Sequence, residues 1–234
     1  MNFLICLKYF VILLLLVSLP SCASLPEYAR PQIYIPEEGT AATEKGFSYR
    51  QLAFTDFQAT SLPVGIQQYS RHLNARSCIT IHPTQNFKVN ISRAFFYDHP
   101  TYVGSFEYIS FEASFLPSCS WWNDKVPQKL KAYVLQHEQI HFALAELAAR
   151  KVTLQAKEGL VHYVAFGNTD REVQMKLREK VKELVQDAIN SDLKVHTAFD
   201  EDTSGFYVPK IQQSWLSDVK KRLAEEEKRS DDLK

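Results

Sequence analysis

His137, Glu138 and His141 stand in the pattern His-Glu-x-x-His, with Gln139 and Ile140 between them. On a helix a step of four residues is a little more than one turn, so both imidazoles leave the same face with their roots about 6 Å apart, close enough to grip one tetrahedral ion. Glu138 stands about 100° round from His137. That offset keeps its carboxylate off the ion but within reach of a water that the ion acidifies from a pKa of about 15.7 towards roughly 7. Glu138 can then take that proton and pass it to a leaving amine, which is the chemistry of a zinc-dependent peptidase. Leu130, Val134, Leu144 and Ala148 share the stripe, so two core histidines satisfied by hydrogen bonds are the competing explanation.

A catalytic zinc takes three protein ligands and keeps one position open, and the motif supplies two. Glu146 comes five residues after His141, about 140° round a straight helix, with no Gly or Pro nearby to bend the chain. It is expected to pair with Arg150 one turn on. Glu172, His196, Asp200 and Asp202 are further candidates, but for each one taken singly a solvated side chain is the simpler reading, and spacing does not choose among them. His72, His82 and His99 lie without ligand spacing and are expected in surface or turn roles.

These groups need a scaffold. Leu130, Val134, His137, His141, Leu144 and Ala148 fall at helical spacing behind Pro127, which predicts a helix over residues 127–158 with Gly159 as its stop. Thr169-Asp170-Arg171-Glu172 reads as a capping box that opens a second helix to about residue 193. Ile211, Trp215, Val219 and Leu223 mark an amphipathic last helix. Upstream, from Phe47 to Phe115, residues 87–91 and 109–115 alternate apolar with polar as half-buried strands do. Strands first and helices later predict an α+β fold, an antiparallel sheet followed by the helices that carry the motif. There is no Gly-rich phosphate loop, no Gly-x-Ser-x-Gly elbow and no Cys-rich metal knuckle.

The 234 residues are 45% hydrophobic and 12% aromatic, which suits one sizeable core and argues against disorder. Basic and acidic residues balance at 27 each, so charge offers no reason to propose nucleic acid as a partner. Lys8, the apolar run Tyr9 to Val17 and Leu19-Pro20-Ser21-Cys22 read as an export signal whose end resembles a bacterial lipobox. Residues 1–21 are therefore expected to be a signal peptide and Cys22 to carry lipid. Ala23 after that Cys favours the periplasmic face of the outer membrane as the cell-envelope location. Residues 22–46, with Pro26, Pro31 and Pro36, read as a tether, 47–224 as the domain and 225–234 as a charged tail. Processing leaves Cys78 and Cys119 as the thiols of the mature domain. In an oxidising compartment they are expected to form a disulfide, with two buried free thiols as the alternative.

The stretch from His137 to Phe142, followed by Ala145, Glu146, Ala149 and Arg150, resembles the motif helix of a bacterial family described as secreted zinc-dependent proteases, the domain of unknown function 922. Leu52 to Phe57 is similar to that family's first strand, and Ala113 to Phe115 with Ser120 and Trp121 to its run into the helix. Gln212 with Trp215 is similar to its closing helix. The resemblance spans most of residues 47–224, and only its His-Glu-x-x-His element is chemically specific. It implies a zincin-like metallopeptidase domain, with His137 and His141 as zinc ligands, Glu138 as general base and a peptide or protein as substrate. Two positions depart from the family pattern. An Asp after His-Phe is Ala143 here, and a Thr-x-His-Gly ahead of the closing Gln is Thr203-Ser204-Gly205-Phe206. If the family His serves the metal, this chain lacks it. The alternative is then a non-catalytic envelope lipoprotein that keeps a zincin-like fold as a binding or structural module.

Overall fold

The computed structural model describes residues 25–26, 29–31, 45–96, 99–160, 162–204 and 207–231. The expected signal peptide, Cys22 and most of the tether lie outside them. Helix α1, Gln128–Gly159, follows Pro127, whose carbonyl accepts from Leu130 N–H at 2.8 Å and whose missing N–H costs nothing at a helix start. The helix buries two opposed faces. Phe142, Ala145, Ala149, Val152 and Ala156 pack into one core with the strands, while Ile140, Ala143, Leu144 and Leu147 pack into a second core with the later helices.

The strands form three antiparallel ladders instead of the single sheet the sequence suggests. Beside α1 lie β1 (Phe47–Ser48), β3 (Ile79–Pro83) and β6 (Phe111–Phe115), in the order β1-β6-β3. Phe115 and Phe142 are fully buried with ring centroids 5.6 Å apart, so this ladder is clamped to α1 by aromatic contact. A two-stranded ribbon pairs β2 (Ala75–Arg76) with β7 (Trp121–Trp122). The third ladder joins the hairpin β4 (Lys88–Phe96) and β5 (His99–Tyr108) to β8 (Val164–Gly167). Strand β8 falls between helices, where four residues are too few for alternation to be read. Phe54–Asp56, expected as part of a first strand, is a 3-10 turn because the Asp56 carboxylate accepts the Ala53 N–H at 2.7 Å.

Helix α2, Asp170–Thr203, opens as the capping residues predict, with Thr169 Oγ1 accepting the Glu172 N–H at 3.2 Å. It then runs ten residues past the predicted end at 193. Its buried stripe continues through Asp192, His196, Phe199, Asp200 and Thr203, and because most of these are polar the apolar period fades while the helix does not. Near its start the helix lies so close to β5 that a Cβ on Gly104 would stand 2.3 Å from Val173 Cγ1. Helix α3, Pro209–Asp231, closes the second core with Leu216, Val219 and Leu223, and its backbone stays helical into the segment expected as a charged tail. Buried Gln212 ties it to α1 by donating to Tyr133 O at 3.0 Å and Gln136 Oε1 at 2.8 Å. The fold is α+β, with antiparallel strands and helices. No helix among the described residues is long and apolar enough to cross a membrane.

Candidate metal centre

Helices α1 and α2 bring three ligand atoms together. His137 Nε2 and His141 Nε2 are 3.1 Å apart, and Asp200 Oδ1 lies 2.9 Å from each. Donors about 2.0–2.1 Å from a tetrahedral zinc stand roughly 3.3–3.4 Å from one another, so this triangle is only slightly tighter than a loaded site requires. Two imidazole nitrogens and a carboxylate oxygen also suit zinc chemically, as they suit other first-row divalent ions. The group of His137, His141 and Asp200 can therefore hold a metal ion.

The electrostatics point the same way. Burial alone would raise the Asp200 carboxyl, but the charges and hydrogen bonds of His141 and His137 outweigh it and hold the group well below the usual carboxylate range. Burial pulls His137 down, and the Asp200 bond and charge more than reverse that, so its net shift is upward. An ionised carboxylate between two imidazoles in a buried setting is a place where positive charge is favoured. Each ring is also oriented from behind. Phe199 stacks on His137 with centroids 4.5 Å apart, Thr203 Oγ1 lies 3.3 Å from His137 Nδ1, and His196 Nδ1 lies 2.8 Å from His141 Nδ1.

Glu138 is buried beside this triangle, and its Oε2 accepts from both the Ser77 N–H (3.1 Å) and the Ser77 hydroxyl (2.5 Å). Ser77 is itself pinned through its neighbour. Cys78 is disulfide-bonded to Cys119, with Cα atoms 5.7 Å apart, and its N–H donates to Ser120 Oγ at 2.9 Å. Ser120 in turn donates to Leu116 O at 2.8 Å. The triangle and Glu138 face one cavity of about 490 Å³, which Arg76, Tyr133 and Tyr207 also line. Leu25, Pro26 and Ala29 to Pro31, from the segment expected as a tether, form part of its wall.

The remaining candidates are elsewhere. Glu146 pairs with Arg150 at 2.8 Å, as its spacing predicts, and its other oxygen accepts the Ala113 N–H. Glu172 caps the start of α2 and bonds Lys176 at 2.7 Å, while Asp202 accepts from Trp215 Nε1 at 3.0 Å. His196 faces the nitrogen of His141 that points away from the triangle. His82 bonds Ser114 Oγ, His99 is exposed, and His72 is exposed in a turn at the rim of the cavity, as expected. Asp200 is thus the third candidate ligand. The signal that could have singled it out is the series Asp192, His196, Asp200, which repeats every four residues once the helix is taken past residue 193. No protein-family model, curated protein or solved structure matches the chain.

Proposed function

We propose that the chain is a zinc-dependent hydrolase of peptide bonds, with His137, His141 and Asp200 as zinc ligands and Glu138 as the general base, in a lipoprotein of the bacterial cell envelope. The observation that carries this reading is the placement of Glu138, which lines the same cavity as the three ligand atoms and has one oxygen already engaged by Ser77. The likeness of residues 137–150 to the domain of unknown function 922 supports it. Zinc bound there would supply Lewis acidity, acidifying a water molecule and polarising the scissile carbonyl.

The protein's own groups do the rest. With Oε2 bonded to Ser77, Glu138 presents Oε1 to the attacking water. As the water oxygen bonds to the carbonyl carbon, its proton moves to Oε1. The same carboxyl then protonates the amine nitrogen as the C–N bond breaks, and the second proton of the water passes from the new carboxyl to the amine, so the products are a carboxylate and an ammonium group and Glu138 returns to its starting state. Phe199, packed against both ligand rings, excludes water from the rear of the site.

Glu138→Gln separates this reading from a binding or structural module. The variant should keep folding and zinc stoichiometry while zinc-loaded protein loses about 100-fold or more of its peptide hydrolysis. Equal rates in the two proteins, or no cleavage of a broad peptide library by zinc-loaded wild type, would assign the chain to the non-catalytic class.

A further inference from the structure

Behind the metal triangle lies a second pair of buried polar groups to which the hydrolytic reading gives no task. Asp192 and His196 are 7% and 3% exposed, one turn apart on α2, with Asp192 Oδ2 3.0 Å from His196 Nε2. The two atoms form a close charged contact that is not aligned as a hydrogen bond, and neither has a hydrogen-bond partner among the described residues. A buried carboxylate and a buried imidazole are costly in a core that apolar side chains could fill, so their presence calls for a task. The other ring nitrogen, His196 Nδ1, stands 2.8 Å from His141 Nδ1. That separation is too short for two ring faces in contact, so the nitrogen edges meet and one of them carries the shared proton.

Resting on the metal-site reading above, we infer that Asp192 and His196 form a positioning relay that holds His141 in its metal-binding tautomer. The proton count fixes each step. An ion at Nε2 of His141 takes that nitrogen's lone pair, which leaves the ring proton on Nδ1. That N–H donates to His196 Nδ1, which must then be the acceptor, so the His196 proton sits on Nε2 facing the Asp192 carboxylate. Every ring nitrogen in the chain has one role, and the line ends on a negative charge. Its effect is to fix the plane of the His141 ring and to aim its ligating nitrogen at the ion, as a carboxylate–histidine pair does behind a metal ligand. His137 has a different backing. Its Nδ1 meets Thr203 Oγ1, whose own hydroxyl donates to Phe199 O at 2.6 Å, so a hydroxyl stands behind that ring, and among the described residues no carboxylate does. The two histidines of the motif are therefore unequal, and His141 is the more strongly directed.

The test uses the full chain and the metal alone. Zinc affinity is measured by competition with a chromophoric chelator, and the cobalt-substituted protein is examined by its visible absorption. Asp192→Asn and His196→Phe should each weaken zinc by about 10–100-fold and shift the cobalt bands. Adding Asp192→Asn to His196→Phe should cost little more, since the carboxylate acts only through the ring. Lowered melting temperature with unchanged zinc affinity and unchanged cobalt bands would make the pair merely structural and overturn the relay. If His196→Phe does not fold, the near-isosteric Asp192→Asn still decides. Wild type that binds no zinc would sink the metal reading and the relay together, whereas wild-type binding with unaffected variants would sink the relay alone.

Discussion

Asp200 has two neighbours of its own type close along the chain, Asp192 and Asp202, and each meets a different fate. Asp200 joins the two motif histidines, Asp192 stands behind them, and exposed Asp202 bonds the indole of Trp215. Asp200→Asn should therefore lower zinc affinity by several orders of magnitude, since an amide removes the charge that the histidine pair and the ion share, while Asp202→Asn should leave it within a factor of about two. Isothermal titration of both variants with zinc checks the contrast. Equal affinities would remove Asp200 from the ligand set. The sequence names Asp200 only among five candidates because its partner His141 is 59 residues away, and proximity over that distance belongs to the fold.

Among the elements, the one that steers Glu138 is the short, covalently pinned link between β2 and β3. Ser77 precedes Cys78, and the bond from Cys78 to Cys119 closes a separation of 41 residues that holds β3 to β6, next to the β2–β7 ribbon at its base. Closing a loop of that length stabilises by about 4 kcal/mol on the chain-entropy account. Cys78→Ser with Cys119→Ser should lower the melting temperature and, through Ser77, cut hydrolysis more than it weakens zinc. If zinc affinity falls as far as turnover, the disulfide supports the whole site and not the base in particular. Helix α1 was legible because its apolar residues keep a 3.6-residue period past the histidines. The end of α2 was not, since Asp192, His196 and Asp200 occupy buried positions that a hydrophobic pattern scores as exposed. Strand β8 was too short to carry a period, and the division of the strands into three ladders depends on pairings that local alternation does not encode.

At the scale of the whole molecule, α1 has one face in each of two cores, and the ligand triangle lies on the side where α2 crosses it. The chain segment ahead of the domain reaches the cavity wall at Leu25, Pro26, Ala29, Arg30 and Pro31. With lipid on Cys22, only a few residues would separate the acyl chains from that wall, so the cleft would work close to the membrane surface. Labelled fatty acid should enter the wild-type protein, and Cys22→Ser should block labelling and release the protein from the membrane fraction. Absence of label in wild type would leave the metal chemistry intact and remove the anchor.

Helix α2 is one rod of 34 residues, roughly 50 Å long, with Gly104 pressed against Val173 at one end and Asp200 at the other. A methyl group on Gly104 would have to displace Val173, which stands on the same helix as Asp200. Gly104→Ala should therefore disturb the start of α2, and zinc titration of the variant would read whether the disturbance reaches the candidate ligands. A heritable change there would act far from every candidate ligand.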